Sequence, residues 1–164
     1  RGRAPEYVGA VTSAYRKAID AVQDGSYCEE LVTQLREEVE KVYNRGFSTG
    51  YYLGQKQGWS GAYGNKATRK KMRVGKVVNV FTKSGVLQIN ATEVDIAVGD
   101  EYVIVGNTTG AVNGIVGELR IERDGEMLPV EIAPRGNVVT LVHEGEVRRG
   151  DQLYKMEKVV ELTQ

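Results

Sequence analysis

The chain has 164 residues, which suits one ordinary domain or two small ones. Lysine plus arginine and aspartate plus glutamate each number 22, so overall charge gives no reason to expect a polyanionic partner. The single cysteine cannot close an internal disulfide, and no apolar run approaches the ~20 residues that span a bilayer. We therefore expect a protein of the reducing cytoplasm, with no membrane partner and two unequal parts.

The first predicted elements are two amphipathic helices. Over residues 5–22, apolar side chains recur at three- and four-residue steps, which is typical of one helix face. Gly25 is expected to end this helix, and Ser26 with Glu29 has the capping-box spacing that predicts the start of the next. The buried stripe expected for the second helix is Leu31, Leu35, Val39 and Val42.

A long irregular connection is predicted over residues 44–64, which are rich in glycine and aromatic residues. Residues 66–76 follow and hold the densest positive cluster of the chain. Because lysine and arginine bind phosphates and exposed aromatics stack on bases, the two segments together predict a substrate-binding or RNA-binding surface. Its candidate residues are Arg45, Tyr51, Tyr52, Trp59, Lys66, Arg69, Lys70 and Lys71, and Arg3 near the start of the chain is a further candidate.

A structural explanation of the same segments stays open. Phe47, Tyr51 and Tyr52 would then pack the helices onto the strands that follow, and the lysines would solvate a linker. Binding of RNA through phosphates should weaken steeply with salt, whereas a packing role should not depend on it in that way.

From about Arg73 onward, short β-branched and aromatic runs alternate with turn residues, which predicts strands. Because closure leaves no unpaired edge, six or seven such strands predict a small Greek-key antiparallel β-barrel. The predicted fold is α+β, with helices and connection in residues 1–65 and the barrel in residues 66–164. The expected strands cover residues 74–81, 86–89, 102–105, 112–121, 127–132, 138–142 and 152–156, with a hairpin turn at Asp124-Gly125.

One turn sequence occurs twice. Gly99-Asp100 is followed by a strand that contains Tyr102, and Gly150-Asp151 is followed by a strand that contains Leu153. We expect both Gly-Asp pairs to turn the chain into a strand.

No catalytic set is apparent in the sequence. Cys28 has no neighbouring cysteine or histidine and supplies one ligand where metal sites use three or four, which favours an incidental thiol. His143 has only Glu144 beside it, whereas a catalytic histidine needs a nucleophile and an orienting carboxylate nearby. We therefore predict no catalytic residue, no metal site and no cofactor in this chain.

Three segments together resemble a known family. Residues 1–8, the helix segment Tyr-Arg-Lys-Ala-Ile-Asp at 15–20 and the loop Asn-Arg-Gly-Phe-Ser-Thr-Gly-Tyr-Tyr at 44–52 are similar to the C-terminal portion of the collagenase-like protease family, the peptidase family of unassigned catalytic type numbered thirty-two. Gly75-Lys76-Val77-Val78 and the two Gly-Asp turns also resemble the second-domain barrel of translation elongation factors.

The resemblance implies an upstream (βα)8 barrel whose cysteines bind a metal or an iron-sulfur cluster. The chain begins without an initiator methionine, so we expect a cut piece that lacks this barrel, and residues 5–22 would be the barrel's final outer helix. Its stripe of Tyr7, Val11, Tyr15 and Ile19 is then expected to pack on the second helix, the C-terminal barrel or another chain.

Some relatives in the family resemble RNA hydroxylases that use prephenate, others act in ubiquinone hydroxylation, and peptidase is the historical name. We expect an accessory lid or substrate-recognition module, inactive alone, whose partners are the upstream barrel and a substrate of RNA or peptide. A structural or dimerisation module that forms a homo-oligomer is the alternative, and a peptidase fragment with hydrolase activity is a third interpretation.

Overall fold

The computed structural model describes residues 5–48, 50, 54, 65–123 and 125–159. The chain divides into two compact units, one of residues 1–69 with 159–164 and the other of residues 70–158. We call them the helical unit and the strand unit. The division falls at the start of the first strand, a few residues after the expected boundary at 65/66.

The helical unit contains α1 (Pro5–Asp24) and α2 (Glu29–Glu40). Gly25 has a φ of 79°, and the amides of Ser26 and Tyr27 both donate to the carbonyl of Ala21, at 2.9 and 3.1 Å. A left-handed glycine with returning amides is a common way to end a helix, so the predicted end of α1 is confirmed.

The predicted capping box is wrong. Cys28 is the N-cap residue of α2, and it makes no side-chain capping hydrogen bond. Ser26 instead bonds backwards, because its amide and its hydroxyl both donate to Asp24 Oδ1, at 2.9 and 2.5 Å. The serine therefore stabilises the turn between the helices, and α2 begins two residues later than a cap at Ser26 would set it.

Within the described residues, ten strands form an eight-stranded sheet of order β5-β4-β10-β1-β2-β9-β6-β7 and a two-stranded sheet of β3 and β8. The ladders β1–β2, β2–β9, β9–β6, β6–β7, β10–β4 and β4–β5 are antiparallel. The strands are β1 (Arg69–Phe81), β2 (Val86–Ala91), β3 (Ile96–Ala97), β4 (Glu101–Gly106), β5 (Gly110–Ile115), β6 (Leu119–Arg123), β7 (Glu126–Val130), β8 (Ile132–Ala133), β9 (Asn137–Val142) and β10 (Gln152–Lys158).

The large sheet has two edges, β5 and β7. Among the described residues no ladder joins these strands, so the α+β class and the antiparallel pairing are confirmed whereas closure into a Greek-key barrel is not. Pro129 lies in β7, where a residue without an amide proton fits an edge strand.

The core of the strand unit follows from strand alternation. On β2, Leu87, Ile89 and Ala91 are buried, whereas Val86 before them and Gln88 among them are half-buried. Such period-two alternation places one face of a sheet in the core and the other outside. The buried cluster continues through Ile104, Leu119, Ile121, Leu141 and Leu153.

One predicted strand is two strands. Residues 112–121 were expected as a single run, but β5 ends at Ile115 and β6 begins at Leu119. Val116, between the two strands, is buried and is not part of either ladder. Its amide donates instead to the carbonyl of Asp100 in the first Gly-Asp turn, at 2.9 Å. The hairpin from β6 to β7 is confirmed, with Gly125 at a φ of 83°, while Asp124 lies outside the described residues.

Candidate functional site

The strand unit has a groove on the outer face of its sheet. Strand register places Phe81, Val86 and Val142 in one row across β1, β2 and β9, and all three are apolar. The next row on the same face holds Gln88, Thr140 and Arg120. The groove encloses about 420 Å³, and its lining also includes Ser84, Glu118, Met127 and Leu141.

We call this feature the sheet groove. Its volume is within the ~300–1,000 Å³ typical of ligand sites. Phe81 and Val142 are 46% and 49% exposed, so large apolar surface is open to solvent there. Arg120 donates to Glu118 at 2.7 Å, which neutralises the charge at one wall. The groove thus presents an apolar row beside a polar row with little net charge.

A second and larger groove, of about 880 Å³, belongs to the helical unit. We call it the helical groove. The guanidinium carbon of Arg36 lies 5.5 Å from the ring centre of Phe47, and Arg45 Nε donates to Tyr43 Oη at 2.9 Å. The remaining lining is Tyr7, Val11, Ala14, Tyr15, Ala18, Tyr27, Val32, Leu35, Val39, Asn44, Gly46 and Ser48.

The predicted binding residues are distributed over both units. Arg45, Lys66 and Arg69 belong to the helical unit, and Lys70 and Lys71 belong to the strand unit. The other candidates, Arg3, Tyr51, Tyr52 and Trp59, lie outside the described residues.

The positive run is part of β1 from Arg69 onward, and strand alternation separates its side chains. Lys71 Nζ lies 4.6 Å from the ring centre of Tyr154, and Arg73 donates to Gln152 and to Glu93. Lys66 and Lys70 are exposed. The run is therefore partly used in contacts within the protein, which sequence spacing alone does not reveal.

His143 is enclosed in the strand unit, with 7% of its surface exposed. Its Nδ1 shares a hydrogen bond of 2.8 Å with the hydroxyl of Tyr102, while Nε2 has no hydrogen-bond partner within the described part of the chain. A Cβ on Gly145 would lie 3.0 Å from Nε2, and a Cβ on Gly114 would overlap the ring of Tyr102. The two glycines allow close packing around the pair.

Burial governs the titration of this pair. It lowers the pKa of His143, with a smaller opposing effect from the charge of Glu144, and it raises the pKa of Tyr102. Both rings are therefore neutral near pH 7. A neutral imidazole closed off from solvent suits a packing role better than proton transfer to a substrate.

The two Gly-Asp turns share one geometry. Gly99 and Gly150 have φ values of 87° and 103°. The carboxylate of Asp100 accepts from the amide of Ala97 at 2.8 Å, and that of Asp151 accepts from the amide of Arg148 at 2.9 Å. Each aspartate side chain therefore accepts a hydrogen bond from the amide three residues earlier and stabilises its turn. The sequence repeat is confirmed as a structural repeat.

The residues that the structure describes do not fit a metal or an iron-sulfur cluster. Cys28 is the single cysteine of the chain, is exposed and belongs to the helical unit, whereas the single histidine belongs to the strand unit. No group of three or more possible ligands occurs among the described residues. In the described part of the chain, neither helix has the length and apolarity needed to cross a bilayer.

Comparisons with known proteins find one matching family model and several similar proteins. Residues 1–60 match the model of peptidase family U32. The chain is 40% identical over 159 residues to a protein named collagenase from Porphyromonas gingivalis strain W83, an alignment that covers 96% of this chain and 37% of that protein. It is 35% identical over 164 residues to an uncharacterized protease of Methanocaldococcus jannaschii, which covers 98% of this chain and 39% of the relative.

The chain therefore spans about two fifths of the length of these curated relatives. A solved structure, the C-terminal domain of a protein of Geobacillus thermoleovorans described as a U32 peptidase, aligns with a TM-score of 0.44 at 15% identity. That alignment covers 52% of this chain and 91% of the solved one.

Proposed function

Because this chain belongs to peptidase family U32, we propose that it is an accessory C-terminal lid or substrate-recognition module of a longer enzyme and has no chemistry of its own. The sheet groove is the observation that carries this proposal. It offers apolar and polar contacts on a rigid sheet, and the buried ring of His143 is not part of it. Such a surface holds a substrate and leaves its reaction to other residues.

An extended polypeptide is the substrate that the sheet groove fits best. An extended polypeptide presents apolar side chains that fill pockets, and main-chain N–H and C=O groups that polar side chains can bond. The row of Phe81, Val86 and Val142 supplies the first kind of contact, and the row of Gln88, Thr140 and Arg120 supplies the second. The relatives named collagenase and protease make a polypeptide the natural first probe.

The test compares Val142→Asp with Ile132→Asp in the full-length enzyme. Both residues are exposed strand residues of the strand unit, but only Val142 lines the sheet groove. A charge at Val142 should raise the KM for gelatin by roughly tenfold or more and leave kcat unchanged, because uniform binding is lost. Ile132→Asp should change neither constant. Equal effects of the two variants would overturn the proposed role of the groove.

A second measurement addresses the possibility of a peptidase fragment. The 164-residue chain should not hydrolyse gelatin or casein, whereas the full-length enzyme provides the positive control. Hydrolysis by the chain itself would overturn the accessory role. If that hydrolysis were retained when His143 is replaced by glutamine, the catalytic residues would be others than His143.

RNA is the second candidate substrate, favoured by the exposure of Arg45, Lys66 and Lys70. The other residues proposed to contact RNA are Arg3, Tyr51, Tyr52, Trp59, Arg69 and Lys71. Phosphate contacts predict that affinity falls steeply with salt and that Lys70→Glu weakens binding across sequences. The matched control Lys83→Glu, at an exposed lysine outside residues 66–76, should weaken RNA binding less. An RNA affinity that changes neither with salt concentration nor on Lys70→Glu would exclude this surface as an RNA-binding site.

We place any metal or iron-sulfur cluster of such an enzyme in residues outside this chain, because the donor set here does not fit one. We also propose a reducing compartment, since a single cysteine cannot close an internal disulfide.

A further inference from the structure

We propose that Arg120 determines the specificity of the sheet groove by binding an acidic side chain of the polypeptide that occupies it. The preferred segment carries this acidic residue two positions away from an apolar one. The inference rests on the proposed function and deepens it, because it names the class of polypeptide that the sheet groove selects.

The guanidinium of Arg120 has hydrogen-bonding capacity to spare. Among the described residues, Arg120 is the one cationic side chain that lines the sheet groove. Its Nε donates to Glu118 Oε1 at 2.7 Å, and in the described part of the chain the guanidinium makes no other hydrogen bond. The edge formed by its two terminal nitrogens matches the two oxygens of a carboxylate. Arg120 can therefore hold a second carboxylate while it keeps Glu118.

The ion pair with Glu118 is not strong enough to exclude a ligand. The two side chains are 51% and 49% exposed, and pairs at such exposure contribute little because water and salt screen them. Glu118 orients the guanidinium through Nε, while its own charge reduces the attraction for a second acid. We therefore expect a preference of moderate size that decreases as salt is added.

Strand register sets the spacing between the two side chains of the ligand. Thr140 pairs with Arg120 across β9 and β6, and Val142 lies two residues beyond Thr140 on the same face of the sheet. Rows two residues apart are separated by roughly 7 Å, because each strand residue rises about 3.3 Å. An extended polypeptide has the same repeat. A segment whose apolar side chain lies on the row of Val142 thus presents the side chain two positions away to the row of Arg120.

Binding of labelled peptides to the full-length protein, followed by fluorescence anisotropy, tests the inference. The probe is a blocked pentapeptide Glu-Gly-Leu-Gly-Glu, which has an acid two positions from leucine in both directions. Its glutamine analogue removes the charge, and Gly-Glu-Leu-Glu-Gly keeps the composition but changes the spacing. The probe should bind about fivefold or more tightly than either control peptide, because a charge-assisted bidentate contact is added.

Two arginine variants assign the preference to one side chain. Arg120→Gln should abolish the difference between the glutamate and glutamine peptides and leave the affinity for the glutamine peptide unchanged. Arg123→Gln is the matched control, because Arg123 is exposed on the same strand but does not line the sheet groove. It should retain the full preference. Both variants replace exposed side chains, and circular dichroism checks that they fold.

Each outcome supports or overturns the inference. Loss of the preference in Arg120→Gln together with its retention in Arg123→Gln supports it. Equal affinities for the three peptides, a preference that survives Arg120→Gln, or no binding of the probe at about millimolar concentration would overturn it. The gelatin measurement with Val142→Asp is separate. A raised KM there, combined with equal binding of the peptides, would retain the proposed function and reject only the role of Arg120.

Discussion

The helical unit and the strand unit differ in how completely each buries its own apolar residues. Among the residues that the structure describes, the large side chains with less than 2% exposure, such as Ile89, Ile104 and Leu153, all belong to the strand unit. The helical unit instead leaves Tyr15 at 66% exposure on an amphipathic helix. The contrast teaches that the strand unit carries a well-buried core, whereas the described residues of the helical unit leave much of their apolar surface exposed.

The largest expected effect comes from a cavity in the complete core. Leu153→Ala should lower the free energy of unfolding by about 2–5 kcal/mol, because a fully buried leucine leaves a space that neighbours cannot fill. Leu35→Ala in α2 is the matched change in the helical unit and should cost clearly less, since few buried neighbours surround it. Urea denaturation followed by circular dichroism measures both. Equal losses would break the comparison.

Two glycines, one in each unit, extend the comparison to the backbone. A Cβ on Gly75 in β1 would overlap the carbonyl oxygen of Asn90 on β2, so Gly75→Ala should destabilise by about 1–3 kcal/mol or more. Gly9 lies inside α1, and a Cβ added there would meet nothing within 4 Å. Gly9→Ala should therefore stabilise by roughly 0.5–1 kcal/mol, because alanine favours helix. Thermal unfolding of the two variants should shift in opposite directions.

The repeated turns allow a test inside the strand unit. Asp151 is 7% exposed and accepts from Thr109 Oγ1 at 2.6 Å as well as from the amide of Arg148. The side chain of Asp100 is 20% exposed and pairs with Lys155 at 2.9 Å. Asp151→Ala should cost about 1–3 kcal/mol, because two part-buried donors lose their acceptor, and Asp100→Ala should cost less. A larger loss of stability from Asp100→Ala than from Asp151→Ala in urea denaturation would contradict these roles of the two aspartates.

The sequence predicted what depends on local pattern. The end of α1 at Gly25, the two Gly-Asp turns and the hairpin at Gly125 each follow from a glycine that adopts a positive φ. The capping box failed because Ser26 has a nearer acceptor in Asp24, and spacing does not rank competing hydrogen bonds. Strand periodicity likewise did not show that Val116 leaves the ladder for the first Gly-Asp turn.

The candidate sites were harder to predict than the fold. Charge density pointed to residues 66–76, but ring and carboxylate contacts far along the chain engage part of that run, as at Lys71 and Arg73. The sheet groove was not predicted at all, because its rows come from register between strands distant in sequence. Alternating half-buried residues such as Val86, Gln88 and Thr140 were the available signal, and pairing was needed to place them on one face.

A smaller effect should follow from the pH dependence of the core. The imidazole titrates near 6.5 when unperturbed, and burial lowers the pKa of His143 in the folded state. The unfolded chain then takes up the proton first, so this contribution to stability is complete above pH 6.5 and is lost as the pH falls below it toward the folded pKa. His143→Gln keeps an acceptor for Tyr102 and cannot titrate, so its urea midpoint should depend less on pH across this window. If the urea midpoints of the unmodified protein and of His143→Gln changed in parallel with pH, His143 would not be the source of this pH dependence.

The smallest effect expected in the 164-residue chain is the one that sharpens the comparison most. In the 164-residue chain, Tyr15→Ser should change the free energy of unfolding by no more than about 0.5 kcal/mol, because its ring is largely exposed. In the full-length protein the same substitution should cost about 1.5–3 kcal/mol, since a docked ring loses buried apolar contacts. Ser13→Ala, outside the helical groove, should be neutral in both. A change at Tyr15 that is equally small in both lengths would mean that its ring stays exposed in the longer protein as well.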